Sequence, residues 1–196
     1  MPRPLGFDLD AARAGIMRVF WERGYAGASL GDLERATSLV RTSLYNSFGK
    51  KPEMFLESLR LYHDTMAERM DAAVKDRGVE ALAEVVSAMI EGADETVGQP
   101  AGCLMVGAAT QSGALEGRHL ELVRAYRRML VRKARDVLER DRASGRLVEG
   151  VDPDGAAELL VCAVWGELAA QCLGEGARPT ASAAFLRTMI AGWIRD

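Results

Sequence analysis

One nine-residue stretch, Val40-Arg41-Thr42-Ser43-Leu44-Tyr45-Asn46-Ser47-Phe48, carries side chains that could do recognition chemistry. On a helix Leu44 and Phe48, four apart, share the inward face, which leaves Arg41, Thr42, Ser43, Tyr45 and Asn46 outward. An arginine fork matches guanine O6 and N7, an asparagine amide matches adenine, and hydroxyls suit phosphate oxygens. Lys50 and Lys51 follow directly and can neutralise phosphates. A surface helix with a hydrophilic face accounts for the same pattern equally well.

Catalytic and metal-binding constellations are weaker. Glu116-Gly117-Arg118-His119 is one Glu-x-x-His, whereas di-iron bundles need two copies and two further glutamates; His63 has Arg60 three residues before it. Cys103, Cys162 and Cys172, with the two histidines, show no zinc spacing. No G-x-x-x-x-G-K-[ST] or G-x-G-x-x-G occurs. No enzyme activity, cofactor or metal is therefore expected. An odd number of cysteines without CxxC spacing argues against a disulfide scaffold and fits a reducing cytoplasm.

The elements that must position the polar stretch are helical. Alanine and leucine, both strong helix formers, make up 52 of 196 residues, and only six prolines occur. No sustained alternation of Val, Ile and Thr suggests strands, so an all-α chain of about nine helices is expected. Asp8 or Asp10 opens a first helix that Gly24 stops after Arg23. Ser29-Leu30-Gly31-Asp32 is a capping-box start for a second, ending near Ala36-Thr37. A third covers about Val40 to Phe48, and Pro52-Glu53 opens a long one to about Asp76. Further helices are expected over about 79–96, 102–112, 116–144, 153–173 and 180–194. The longest unbroken apolar run, Leu159 to Trp165, falls short of the roughly 20 residues of a membrane span. Asp8 and Asp10 follow Met1-Pro2-Arg3-Pro4 before any apolar core, unlike a signal peptide.

Charge is uneven. Residues 1–51 hold eight basic and five acidic groups, a net of +3, so a chain of net charge −3 leaves −6 for the remainder. A basic head attracts phosphate and an acidic body repels it, although chance variation over so short a segment accounts for it as well. The basic side chains of 116–144 flank an apolar stripe and fit a solvated helix face better than a DNA contact.

Three short helices within 50 residues have helix-turn-helix form, whose second helix fits a major groove about 12 Å wide. Here the sequence resembles the TetR-type transcriptional regulators. The resembling stretch, about Ala12 to Leu59, holds Phe20-x-x-x-Gly24-Tyr25-x-x-x-Ser29-Leu30-x-x-Leu33, then Ser43-Leu44-Tyr45-x-x-Phe48-x-x-Lys51. Two positions depart from the family pattern: Ser38 stands where Gly is common, and Val40 where Ser commonly caps the reading helix. Both Ser38 and Val40 remain candidates for that cap.

The resemblance implies a helix-turn-helix DNA-binding domain over 1–50 and a helical effector-binding and dimerisation domain over 51–196. It implies a homodimer on a palindromic double-stranded DNA operator, with Ser29 contacting phosphate, Arg41 and Thr42 reading bases, Tyr45 on the backbone and Lys51 on phosphate. An apolar or aromatic small-molecule effector is expected among Tyr62, Met66, Met89, Cys103, Val106, Tyr126 and Trp165. On the last two helices Ala163, Gly166 and Ala170 let backbones approach, and Phe185, Met189 and Trp193 supply area for a dimer face. Two other readings stand beside this one: a regulator sensing oxidants or electrophiles through Cys103, and an all-α small-molecule binding protein without DNA function.

Overall fold

A computed structural model of the chain describes residues 7–91, 102–172 and 181–195. Among the described residues there are nine α-helices and no strand. They are α1 (Leu9–Gly27), α2 (Leu30–Thr37), α3 (Arg41–Phe48), α4 (Lys51–Val74), α5 (Val79–Glu91), α6 (Leu104–Thr110), α7 (Gly117–Ala143), α8 (Pro153–Cys172) and α9 (Ala181–Ala191). The chain forms two compact units, residues 1–64 with 103–123 and residues 65–102 with 124–196.

The first unit is built on α1, which Asp8 caps by accepting from the backbone N–H of Asp10 (3.0 Å) and Ala11 (3.1 Å). Gly24 does not end this helix. It interrupts it, with φ 67° and ψ 175°, and helical turns resume to Gly27. Tertiary contact overrides the stop: Gln111, just beyond α6, accepts from the Ala26 N–H (3.2 Å) and donates to Gly107 O (3.3 Å). The left-handed φ favours glycine at 24, and a Cβ there would also stand 2.2 Å from Gln111 Nε2 and push that amide aside. Gly15 serves differently, lying where a Cβ would come within 2.8 Å of Ala36 O as α1 packs on α2.

α2 starts on the expected capping box. Ser29 Oγ accepts from Asp32 N–H (3.2 Å), and Asp32 Oδ2 accepts from both Ser29 N–H (2.9 Å) and Ser29 Oγ (2.6 Å). Arg23 (3.5 Å) and Arg35 also pair with the buried Asp32 carboxylate. The Ser29 hydroxyl above all, with the backbone bonds and the two guanidiniums, holds this carboxyl below its ordinary range. At the other end Thr37 Oγ1 donates to Leu33 O (2.8 Å) and accepts from Leu39 N–H (3.3 Å), stapling the turn into α3. Ser38 takes the left-handed conformation that glycine usually fills (φ 57°, ψ 21°) and ends α2. Val40 is the residue before α3, so Ser38 does not cap the reading helix.

The first unit extends past residue 50 because its core does. Phe20, Leu33, Leu44, Phe55 and Leu59 are wholly buried, and Phe20 and Phe55 meet edge to face at 5.0 Å. His119, near the start of α7, is buried between Tyr25 (5.9 Å) and Phe55 (5.4 Å). Its Nε2–H donates to Pro52 O (2.9 Å) while Nδ1 accepts from Glu116 N–H (3.2 Å), which fixes the tautomer and occupies both nitrogens.

In the second unit α5 packs against α8 and α9. Buried Asp141 caps α5 from a distance, accepting from Val79 N–H (2.8 Å). α7 buries Tyr126, Met129, Leu130, Ala134, Val137 and Leu138 on one stripe. Its basic groups meet local acids instead of standing free: Arg127 with Glu158 (2.6 Å), Arg135 with Asp154 (3.1 Å), Lys133 with Asp71. By length and composition α8 could cross a membrane, which the seven-residue apolar run does not reveal. Its Ala157, Leu160, Val164 and Leu168 pack inside this unit, as in the core helix of a globular body. α9 stops at Ala191, short of residue 194, and Ile194 instead bridges to Leu147. The expected ends of the helices near residues 96, 173 and 180 lie outside the described residues.

Two outcomes follow. A side chain in the left-handed region is strained by about 1 kcal/mol or more, so Ser38→Gly should raise unfolding stability by about that much; the urea midpoint reads it. Asp32 binds its proton less tightly when folded, so its contribution is present above the ordinary Asp value near 3.9 and is lost as pH falls through the lowered folded value. The difference in Tm between the wild type and Asp32→Asn should therefore be full at pH 7 and vanish progressively below about pH 4. A difference independent of pH would refute the assignment.

Candidate nucleic-acid interface

α3 is too short to be stable alone, and it is seated by the wholly buried Leu44. Around that anchor Arg41, Thr42, Tyr45 and Asn46 are exposed and Ser43 is half-buried, the division that the spacing anticipates. The Arg41 guanidinium stands 5.9 Å from the centroid of the Tyr45 ring, one turn further on. Phe48 is only half-buried. It closes the last turn against Phe7 at 6.4 Å, because it sits at the helix end.

The flanking groups differ in availability. Ser29 is exposed, but its hydroxyl donates to Asp32 Oδ2 and accepts from Asp32 N–H, so in this state it caps α2. Lys50 is exposed, and its backbone N–H donates to Glu53 Oε2 (3.1 Å). Lys51 is half-buried with its ammonium 4.9 Å from the centroid of the Tyr25 ring. Burial lowers the pKa of this lysine and raises that of Tyr25, the latter helped by the nearby Glu116 and Glu53 carboxylates. Arg118 ties the region together, pairing with Glu53 (2.9 Å) and Glu116 (2.8 Å). No sequence pattern announces the Arg118–Glu53 pair, which joins residues 65 positions apart.

The residues expected to wall an effector pocket fall into both units. In the first, the Tyr62 hydroxyl donates to Cys103 Sγ (3.2 Å), Val106 is buried, and Trp21 meets Tyr62 edge to face at 5.0 Å. Trp21 was not anticipated; its aromatic type and the α1–α4 packing are the only signals. Cys103 is 4% exposed, which denies it the access a thiol sensor needs. In the second unit Tyr126 is wholly buried, whereas Met66, Met89 and Trp165 are half-buried. Of this second group only Met89 lines a cavity of about 30 Å³ enclosed by Met70, Leu82, Val86, Leu130 and Val164. That volume is far below the roughly 300 Å³ of a small-ligand pocket. The buried indole N–H groups of Trp21 and Trp165 have no hydrogen-bond partner among the described residues.

The residues expected to form a dimer face lie on α8 and α9 or just beyond, and none is fully buried. Gly166 is exposed, Ala163, Ala170, Met189 and Trp193 are half-buried, and Phe185 is 68% exposed. Leu159, one turn before Ala163, is 51% exposed and extends the same stripe. Among the described residues no group of three or more His, Cys, Asp or Glu side chains could hold a metal ion.

Comparison with known proteins agrees with this geometry. Residues 9–58 match the model of the bacterial regulatory proteins of the tetR family. The HTH-type transcriptional repressor ComR of Escherichia coli is 30% identical over 166 residues, covering 84% of this chain and 79% of that protein. The repressor AcnR of Corynebacterium glutamicum is 38% identical over 77 residues, 39% of this chain and 37% of its own. Among solved structures, a cysteine mutant of the TetR-family regulator CifR, complexed with 26-bp double-strand operator DNA, superposes with TM-score 0.80. It is 29% identical and covers 97% of this chain and 99% of its own. These relatives are regulators and not enzymes. With a full helix-turn-helix head, an all-α body and a relative of this similarity along most of its length, the chain belongs to the TetR family of DNA-binding transcriptional regulators.

Proposed function

We propose that the chain is a cytoplasmic repressor that binds a palindromic operator as a homodimer and is released by a small apolar or aromatic effector. Residues 1–50 supply the DNA-binding head and residues 51–196 the effector-binding and dimer-forming part. The observation that carries the reading is the outer side of α3, where Arg41, Thr42, Tyr45 and Asn46 are exposed around a buried Leu44. ComR is a repressor, and the CifR structure holds operator DNA, which supports the same activity here.

In this reading Arg41, Thr42, Ser43 and Asn46 face base edges, while Tyr45, Lys50, Lys51 and the capped start of α2 at Ser29 face the backbone. Support for pairing comes from the exposed apolar side chains Leu159 on α8 and Phe185 on α9, because one head contacts few phosphates and two-fold dimers engage paired half-sites. Support for an effector comes from the unpartnered indole N–H groups of Trp21 and Trp165, since buried donors are rarely left unmet. Effector binding would then shift the population towards a form whose heads no longer match successive major grooves.

Selection from random duplexes followed by titration tests the proposal. Affinity should fall steeply with salt, as phosphate neutralisation requires. Arg41→Ala should relax preference at one base position by about 1–3 kcal/mol, whereas Tyr45→Ala should weaken binding on every sequence. The opposite pattern would mean that the two roles are misassigned, and a salt-insensitive affinity would remove the phosphate contacts altogether. Phe185→Glu should convert the dimer to monomer in sedimentation velocity and weaken operator binding; a monomeric wild type would overturn the dimer.

A further inference from the structure

Val40 has no place in the roles given so far, although it is the residue on which α3 begins. Its backbone is extended (φ −74°, ψ 155°) and its side chain makes no cap hydrogen bond. Serine, threonine, asparagine and aspartate are favoured at such a position, and valine is among the poorest choices. The side chain is also 66% exposed. Among the described residues of the first unit the exposed large apolar side chains are Val40 and Tyr45, and both belong to the reading helix or its first boundary.

Recognition helices meet base edges with their N-terminal residues. The major groove offers hydrogen-bond donors and acceptors at every base pair, and a single kind of apolar group, the thymine C5-methyl. We infer that Val40 is a specificity-determining residue that packs against a thymine methyl beside the bases read by Arg41 and Thr42. The inference rests on the DNA-binding reading above. It also fits the missing cap: valine presents two methyl groups at this place and has no atom that could accept a cap hydrogen bond.

The test uses the full chain and a duplex selected from random sequence. Each symmetric pair of thymines is replaced by deoxyuridine, which removes the methyl and keeps the base pairing. The wild type should lose about fourfold per half-site, about fifteenfold for the pair, at one thymine position, the fold-change matching one buried methyl of about 0.8 kcal/mol. Val40→Ser, which fits the cap and leaves the core untouched, should bind the thymine and deoxyuridine duplexes equally. Val40→Ala, which keeps only the β-carbon and gains no cap, should lose most of the deoxyuridine sensitivity. If either variant keeps the full deoxyuridine sensitivity, or if no thymine is sensitive in the wild type, the Val40 assignment is overturned while DNA reading stands. A wild type that selects no sequence at all would overturn both.

Discussion

An eight-residue helix does not hold its shape in water, because the unfavourable first turn is never repaid over so few residues. α3 has eight residues and carries no side-chain cap, so everything it presents depends on what lies behind it. Leu44 is the one wholly buried residue of that helix. The core it enters is continued by Leu33 of α2, Phe20 of α1 and Phe55 of α4, then by the ring of His119. The first unit can be understood as the least structure that keeps one short helix folded with its polar side outward.

Electrostatics divides the labour further. In α7 Arg127, Lys133 and Arg135 answer carboxylates close at hand. Surface pairs of this kind contribute little stability, and their effect is to quiet part of a field that would otherwise compete for phosphate. The head pairs some of its cations and presents others. Arg41 and Lys50 are exposed, and the buried Asp32 is answered within the head by Arg23 and Arg35.

Much of this was legible in the sequence, for reasons of range. Caps and periodicities are local, so the Ser29 start, the opening of α4 near Pro52 and the buried Leu44 followed from spacing alone, and the first start was narrowed to Asp8 or Asp10, of which Asp8 is the cap. The polar outer side of α3 followed with them. What could not be read depends on residues far apart in the chain. Gly24 looked like a stop because nothing nearby reveals Gln111, and the first compact unit outgrew residue 50 because His119 and Arg118 return to Pro52 and Glu53. The choice between Ser38 and Val40 as the start of the reader turned on a left-handed backbone that serine rarely adopts. The effector-pocket residues were chosen from type and helix membership, which say nothing about empty space; only Met89 borders the small cavity in the second unit.

The joint between Gly24 and Gln111 constrains how this chain can drift in sequence. The amide fills the space that a methyl group at 24 would occupy, and it holds the backbone that resumes after the break. Glycine at 24 is demanded first by its own left-handed backbone, which strains any side chain there whatever stands at 111. Position 111, 87 residues further on, can change at the cost of one exposed hydrogen bond to Ala26, so the two ends of the joint are free to drift to very different degrees, and an engineer grafting this head onto another body would have to keep the glycine before the amide.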